Sequence, residues 1–419
     1  MTKGVKISKI CEKPAKGELK KYLEPKKIYI PLIIHWDDNI TVLVKKGDYV
    51  FKGDMVAKSR GDFRTPIHAS VSGTVLDYEE KYYLCGKKVK CIVIENDFKE
   101  KVREEKISKI SDFTKEEFIN RIKENGLIGL SGSGFPTYIK YDNDLKKIIV
   151  DATESNPCTS ADFKLMETHI EEILEIIDAV VDIWNMKEGI IAIKKGNNEL
   201  KTIINSYIGT YVKLRLVEVP NYYISGWEKY LVKKICKVNC KTFPTANGIV
   251  VSNIATMFAI YEAIKFNKPL IERVVTFAGP MLNNPANVLV KVGTSTSDII
   301  EFLGGYKEGE KLFVSNGPMM GHSIESDELV ISSDLTSVLV MQSQEKRISK
   351  TCVRCGECIL VCPANISPVL IHETKDNKDY HPEKCIDCGL CSYVCPASIN
   401  LRSSVRKAKE AIRWIHLKH

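Results

Sequence analysis

Eight of the fourteen cysteines lie close together near the end of the chain, in two runs with the same spacing. The runs are Cys352-x2-Cys355-x2-Cys358-x3-Cys362-Pro363 and Cys385-x2-Cys388-x2-Cys391-x3-Cys395-Pro396. A Cys-x2-Cys-x2-Cys-x3-Cys-Pro run is typical of [4Fe–4S] ligation, and in paired runs the fourth cysteine of each binds the cluster of the other. The spacing therefore predicts two adjacent iron–sulfur clusters, which would conduct single electrons.

The three closely spaced cysteines of a run wrap around one cluster, and the Cys-Pro step turns the chain towards the other. The predicted ligand sets are Cys352, Cys355, Cys358 and Cys395 for one cluster, and Cys385, Cys388, Cys391 and Cys362 for the second. The alternatives are paired zinc ribbons or disulfides. Zinc sites, however, usually combine two Cys-x2-Cys pairs separated by a longer loop, so the spacing favours iron–sulfur clusters.

A glycine-rich segment is the second candidate for chemistry. Residues 126–137 read Gly-Leu-Ile-Gly-Leu-Ser-Gly-Ser-Gly-Phe-Pro-Thr, and Lys140 follows. Closely spaced glycines let backbone N–H groups converge on a phosphate, and a lysine adds positive charge. Taken alone, such a segment is equally well explained by a surface loop without a ligand.

Composition excludes several other classes of protein. The 419 residues predict roughly two to four domains. They are 44% hydrophobic and 27% charged, as in soluble globular proteins. The net charge of +8 comes without a basic–aromatic pattern, so we expect no nucleic acid partner. The apolar run 248–261 is too short to cross a bilayer, and residues 1–4 lack the apolar stretch of a secretion signal. We expect a cytoplasmic protein that reaches the cytoplasmic face of a membrane only through partners.

The order of predicted elements indicates a multidomain α/β protein. Residues 29–100 contain short β-branched runs separated by Gly-Asp turns, a hairpin signal. Strands and helices then alternate, with a strand over 147–151 and a long amphipathic helix over 162–184. Residues 270–325 are again rich in strands, and the chain ends in a basic helix over 403–417.

The glycine-rich segment also carries a family resemblance. With Lys140 it resembles the flavin loop GLxGxGGAGFPTxxK of the NADH-binding flavoprotein subunit of complex I and of RnfC, the peripheral subunit of the Rnf complex. Four further segments continue this resemblance in RnfC order: Glu154-Ser-Asn-Pro, Tyr223-Ile-Ser-Gly-Trp-Glu-Lys, Asn253-Ile-Ala-Thr and Gly317-Pro-Met-Met-Gly.

The resemblance implies five regions. They are an N-terminal arm (1–28), a lipoyl-like barrel-sandwich hybrid (29–105), an FMN/NADH-type α/β domain (106–268), a β-grasp domain of the SLBB type (269–340), and an α-helical ferredoxin-type domain with two [4Fe–4S] clusters (341–419). No lysine at a hairpin tip matches the prosthetic-group site of lipoyl or biotinyl domains, so we interpret the sandwich as a structural or docking module.

The resemblance also implies roles for individual residues. Gly129, Gly132, Gly134 and Lys140 would lie near FMN and its phosphate, and Asn253 and Thr256 would close the phosphate side. Glu154 and Glu228 would be the catalytic residues, near the isoalloxazine or nicotinamide end.

This sequence departs from the family pattern at the flavin loop and near it. Ser131 and Ser133 replace Gly and Ala, and Asn156 and Trp227 replace residues typical of the family. The leading prediction is an RnfC-like protein that passes electrons from NADH through FMN to the clusters and on to the membrane Rnf subunits. Two alternatives remain open: a soluble donor to a reductase such as proline reductase, and a non-enzymatic iron–sulfur adaptor without flavin.

Overall fold

The computed structural model describes residues 4–7, 14, 17–34, 37–61, 64–104, 106–240, 242–343, 348–374 and 378–416. The strands are β1 (Lys20–Tyr22), β2 (Lys27–Pro31), β3 (Ile40–Val42), β4 (Tyr49–Val50), β5 (Met55–Ser59), β6 (Pro66–His68), β7 (Gly73–Tyr82), β8 (Lys88–Asn96), β9 (Lys147–Asp151), β10 (Gly189–Lys194), β11 (Leu214–Val219), β12 (Ile249–Asn253), β13 (Glu272–Ala278), β14 (Ala286–Lys291), β15 (Lys311–Ser315), β16 (His322–Ile324) and β17 (Ser337–Gln342).

The helices are α1 (Lys115–Glu124), α2 (Thr137–Tyr141), α3 (Ala161–Ile183), α4 (Asn198–Tyr207), α5 (Glu228–Cys236), α6 (Ile254–Phe266), α7 (Thr296–Phe302), α8 (Glu357–Leu360), α9 (Pro368–Glu373), α10 (Leu390–Tyr393) and α11 (Leu401–His416). Among the described residues, no helix combines the length and the apolar character needed to cross a membrane.

The N-terminal region is a sandwich of two small sheets. One has the strand order β2-β8-β7-β4 and the other β3-β5-β6, and every pairing within them is antiparallel. Alternate β-branched residues point into a shared core, where Ile28, Val56, Val71 and Ile92 are fully or almost fully buried. This is the alternation expected of strands that cover a core with one face.

The central region is an α/β unit with a parallel sheet of order β11-β10-β9-β12. Its strands are buried on both faces: Ile148 and Val150 face the core shared with α1, α3, α4 and α6, and Ile149 faces the core shared with α5. Since β10 and β11 extend the sheet on one side of β9 and β12 on the other, the strand order reverses between β9 and β12. Open α/β sheets bind ligands at the carboxyl ends of the strands at this kind of position.

The third region is a six-stranded mixed sheet of order β1-β14-β13-β17-β15-β16, with α7 packed on it. Strand β1 lies within the predicted N-terminal arm and pairs in parallel with β14, Lys20 opposite Val288. Residues 20–22 of that arm are therefore an edge strand of a sheet whose other strands lie far later in the chain, from residue 272 onwards.

The C-terminal region consists of short helices and α11. Helices α8 and α10 each follow a glycine in the left-handed conformation, Gly356 (φ 76°) and Gly389 (φ 79°). A side chain is strained at such φ values, so glycine permits the tight turn that starts each helix inside a cysteine run.

A buried ion network joins the regions. The Lys291 side chain on β14 is 1% exposed, and its Nζ lies 2.9 Å from Glu100 Oε2, after the sandwich, and 3.2 Å from Glu272 Oε1 on β13. Lys268, which follows α6, lies 2.7 Å from both Glu262 and Glu272. Breaking a buried ion pair leaves an uncompensated charge in the interior, whereas an exposed pair contributes little.

We therefore expect Lys291→Met to lower the free energy of unfolding by about 3 kcal/mol. Lys46→Met is the matched control, because Lys46 pairs with Asp77 on the surface, where both side chains are more than half exposed. Urea unfolding followed by circular dichroism measures both. Equal losses in the two variants would contradict the assignment of Lys291 as a buried link between regions.

Candidate functional site

Two strand ends meet at the point where the sheet order reverses. Asp151 is the last residue of β9 and Asn253 the last of β12, and the two are opposite each other in the parallel register. A cavity of about 270 Å³ opens above them. Its lining comes from the glycine-rich loop (130–133), the segment 154–162, residues 226–228, and the side chains of Asn253, Arg273, Met320 and Thr336.

The glycine-rich loop is held in a tight turn by its own backbone. Gly129 N donates to Phe135 O (2.7 Å), and Gly134 N donates to Gly129 O (3.1 Å). Leu130 N donates to Thr256 Oγ1 at 3.0 Å, so Thr256 ties the loop to α6. Gly132 lines the large cavity, while Gly129 and Thr256 line a smaller adjoining one. Gly134 is part of the turn but of neither described lining.

Lys140 and Glu228 form an ion pair in the smaller cavity. Lys140 Nζ also lies 3.3 Å from Val251 O. The family resemblance assigns these residues to opposite ends of a flavin, whereas the structure brings them into direct contact. A phosphate bound by Lys140 would therefore share or displace Glu228.

Carboxyl groups form the other side of the large cavity. Asn253 Nδ2 donates to Asp162 Oδ2 at 2.6 Å, and Asp162 N donates to Glu154 Oε1 at 3.1 Å. Burial, helped by the neighbouring Glu154, raises the pKa of Asp162 to about 7. Burial also raises the pKa of Asp151 to about 6. Both groups can therefore hold a proton near neutral pH.

Sequence reasoning did not select Asp151, Asp162 or Arg273 as site residues. The first two had a usable signal, because Asp151 ends a buried parallel strand and Asp162 lies in the first turn of a helix. Arg273 had none. It lies on β13 in the following region and reaches the cavity only through the packing of the two regions.

The residues present fit a flavin mononucleotide. Glycines and Lys140 occupy one end of the joined cavities, and hydrogen-bonding side chains surround the other. The backbone also approaches closely: a Cβ on Gly226 would lie 2.5 Å from Ser155 Oγ and 2.6 Å from Thr153 Oγ1. Such a combination of tight backbone and few polar groups is typical of cofactor sites.

The predicted cysteine ligands form two groups in space. The thiols of Cys385, Cys388 and Cys391 interact electrostatically with Cys362 from the other run. Cys358 interacts with Cys352 and Cys355, and Cys352 and Cys395 pack against the same small core. Among the described residues, no three His, Cys, Asp or Glu side chains converge closely enough to hold one metal ion. A four-iron cube holds its ligands farther apart than a single ion does.

Burial raises the pKa of Cys388 and Cys391 to about 12. Because thiolates are the ligands that iron requires, these thiols must lose their protons when the metal binds. The cysteines of the second run are thus set in an apolar environment that suits a cluster.

The cysteines of the second run share a wall with the cavity. Cys388 and Leu390 pack in one apolar cluster with Tyr223, Met319 and Trp227, and Trp227 lines the cavity. A Cβ on Gly389 would overlap Met319 O. The first run lies farther out, where Cys355 is exposed.

Arg402 fastens this wall. It makes two hydrogen bonds to the carboxylate of Asp387, at 2.8 and 2.9 Å, and donates to Met320 O at 2.7 Å. Asp387 lies inside the second cysteine run, and Met320 lines the cavity. One arginine thus connects the cysteine run with the cavity wall.

Comparison with family models gives four matches along the chain. They are the RnfC barrel sandwich hybrid domain (1–99), the Nuo51 FMN-binding domain (122–262), the SLBB domain (274–322) and a 4Fe-4S dicluster domain (345–396). Their identity and order confirm the predicted fold class. They also support FMN and two [4Fe–4S] clusters as cofactors, as predicted.

Curated relatives, all of them RnfC-type components of larger complexes, match over most of the chain. The component from the proton-translocating ferredoxin:NAD(+) oxidoreductase complex of Clostridium ljungdahlii is 30% identical, and the match covers 83% of this chain and 78% of that protein. Its counterpart from the Na(+)-translocating complex of Acetobacterium woodii is 28% identical (84% and 81% covered). The counterpart from the ion-translocating oxidoreductase complex of Rhodobacter capsulatus is 31% identical (82% and 69% covered).

Among solved structures, an NAD+-reducing [NiFe]-hydrogenase aligns with a TM-score of 0.49 and 14% identity, over 72% of this chain and 54% of that one.

The raised pKa of Asp162 predicts a pH-dependent stability. Its carboxyl binds a proton more tightly in the folded protein (pKa about 7) than in the unfolded chain (roughly 3.9). Its contribution to stability is therefore complete below about pH 4 and is lost as the pH rises through about 7. We expect Asp162→Asn to stabilise the cofactor-free protein at about pH 8, by about 2 kcal/mol, and to have little effect at about pH 4.

Unfolding in urea at several pH values measures this difference. Asp38→Asn, at an exposed position, is the control and should not alter the pH dependence. An Asp162→Asn variant that is less stable than the wild type above neutral pH would contradict a buried, protonatable carboxyl.

Proposed function

Because this chain belongs to the RnfC family of ion-translocating ferredoxin:NAD(+) oxidoreductase complexes, we propose that it carries electrons between NADH, FMN and two [4Fe–4S] clusters. Electron transfer within such a complex is the function of the family. The observation that supports the path within the chain is the wall shared by the cavity and the second cysteine run, in which Trp227 and Cys388 belong to one packed cluster.

Each side of the cavity has a proposed task. Gly129, Gly132, Lys140, Asn253 and Thr256 hold the phosphate end of FMN, and Gly134 closes the loop that presents those backbone N–H groups. FMN, when bound, supplies the conversion between a hydride and single electrons.

The carboxyl side handles protons. Hydride transfer to a flavin is accompanied by proton movement, which needs a group that can both hold and release a proton near neutral pH. Asp162 and Asp151 have pKa values suited to this. Glu154 orients Asp162 through the Asp162 backbone N–H, and Glu228 sets the charge of Lys140. We propose that these four carboxyl groups act together at the reacting end.

The two cluster sites follow one another in space. The site of Cys385, Cys388, Cys391 and Cys362 is next to the cavity and would exchange electrons with FMN. The site of Cys352, Cys355, Cys358 and Cys395 is farther from it and includes the exposed Cys355. We propose that electrons pass between this outer site and a redox partner.

The proposed partner is a membrane subunit of the same complex, since the curated relatives are named as subunits of ion-translocating complexes. The chain would then lie at the cytoplasmic face of a membrane, held there by that partner. The ion pair of Lys140 with Glu228 is the observation that keeps a flavin-free adaptor as the second candidate, because it occupies the cation that a phosphate needs.

An anaerobic titration of the purified protein with NADH tests the proposed function. We expect loss of the flavin absorbance, followed by loss of the broad iron–sulfur absorbance, because the cavity and the second cysteine run are adjacent. Iron–sulfur absorbance without flavin and without any response to NADH would instead establish the adaptor. A flavin that is reduced by another protein but never by NADH would favour the soluble donor of a reductase.

Arg402 gives a sharper test of the path. We expect Arg402→Ala to slow electron transfer from flavin to the clusters at least tenfold, because the side chain ties Asp387 to Met320. The rate of flavin bleaching by NADH should not change. Stopped-flow absorbance separates these two rates.

Arg406→Ala is the matched control, since Arg406 lies one turn further along α11 and pairs only with Glu410 in the described structure. Arg402→Lys should recover part of the rate, because a lysine can still reach a carbonyl or Asp387 but not bind both in the same way. Unchanged transfer in Arg402→Ala would reject the proposed route.

A further inference from the structure

Arg273 is a buried cation in the cavity wall without a carboxylate partner. Its side chain is 6% exposed and lines the large cavity. It donates to two main-chain carbonyls, Ser333 O and Leu130 O (3.4 Å for the latter). Its Nε has no hydrogen-bond partner, and within the described part of the chain no carboxylate oxygen lies within ion-pair distance of it.

The nearest carboxyl groups are committed to other donors. Asp334 accepts from Tyr83 Oη at 3.0 Å through both of its oxygens and from Ser332 Oγ at 2.7 Å. Asp162 accepts from Asn253. Both influence Arg273 only through space. An arginine buried with carbonyl partners alone is costly, because its positive charge has lost water without gaining a negative neighbour.

The cavity offers a reason for this cost. Lys140 is paired with Glu228, and Arg273 is the one cation among the described residues that line the large cavity. Its contact with Leu130 O also places the guanidinium directly against the glycine-rich loop. A ligand that enters the cavity with a negative charge would meet Arg273 as an uncompensated partner, in surroundings where charge–charge attraction is strong.

We infer that Arg273 is the anion-binding residue of this cavity and that it binds a negatively charged group of the flavin. This inference rests on the proposed function. The negative charge has two possible sources in FMN: the phosphate, which is always charged, and the isoalloxazine ring, which gains negative charge when it is reduced. Arg273 deepens the proposed site by adding a charge that is independent of the Lys140 end.

Flavin binding by the cluster-loaded, flavin-free protein tests the inference. Dissociation constants are measured for FMN, riboflavin and reduced FMN by fluorescence or calorimetry, in wild type, Arg273→Gln and Arg273→Lys. We expect Arg273→Gln to weaken binding at least tenfold for the charged ligand, and Arg273→Lys to recover part of this loss because the positive charge is kept. Arg215→Gln, on the exposed side of β11, is the control and should bind as the wild type does.

The three ligands separate the two sources of charge. If the phosphate is bound, Arg273→Gln loses the preference for FMN over riboflavin. If the reduced ring is bound, it loses the preference for reduced over oxidised FMN, and a tenfold change in that ratio equals a shift of about 30 mV to a more negative two-electron potential.

Two results would overturn the inference. One is Arg273→Gln with wild-type affinities for all three ligands. The other is an equal loss for all three in both variants, which would indicate a structural role without recognition of charge. A wild type that binds FMN while the variant does so equally well contradicts only this inference. A wild type that binds none of the three flavins contradicts the proposed function, and the inference falls with it.

Discussion

The contact between the second cysteine run and the wall of the cavity is the constraint on which the arrangement of the molecule depends. At this contact Gly389 leaves no room for a side chain against Met319 O, and Arg402 spans Asp387 and the Met320 carbonyl. Electron transfer requires two cofactor sites to be close without sharing atoms. Here a glycine sets the closeness, and an arginine with several hydrogen bonds fixes the orientation. The third sheet region contributes the loop that both sides contact, so it is the joint between flavin chemistry and the electron path.

The cavity itself follows from the parallel register of one sheet. Parallel strands end at the same edge, and the register puts Asn253 opposite Asp151. Asn253 then serves three elements at once, because it ends β12, caps α6 through Ala255 N, and donates to Asp162. The acidic residues stay close together because burial favours their neutral forms over mutual repulsion. A site of this kind can supply protons in one place and hold negative charge in another.

The sequence predicted much of this arrangement, for identifiable reasons. Strand β9 and helix α4 were expected at the observed residues, since short β-branched runs and strong apolar periodicity are local signals. Helix α1 was expected from Ser111 or Asp112, but Thr114 is its N-cap and forms a capping box with Glu117. The cysteine groups follow from spacing alone. Arg273, the pairing of Lys140 with Glu228, and strand β1 depend on contacts between residues far apart in the chain, which no local pattern encodes.

The position of β1 has a consequence for the synthesis of the chain. Lys20 pairs with Val288, so this strand leaves the ribosome roughly 270 residues before its partner. At a translation rate of about 5–20 residues per second, it waits on the order of 15–50 s with its backbone groups unpaired. During that interval the sandwich and the flavin region can fold, but the segment before them stays available to other chains. Closure of the N-terminal segment onto β14 is thus a late event, and it joins the first residues of the protein to a region that is made after two others are complete.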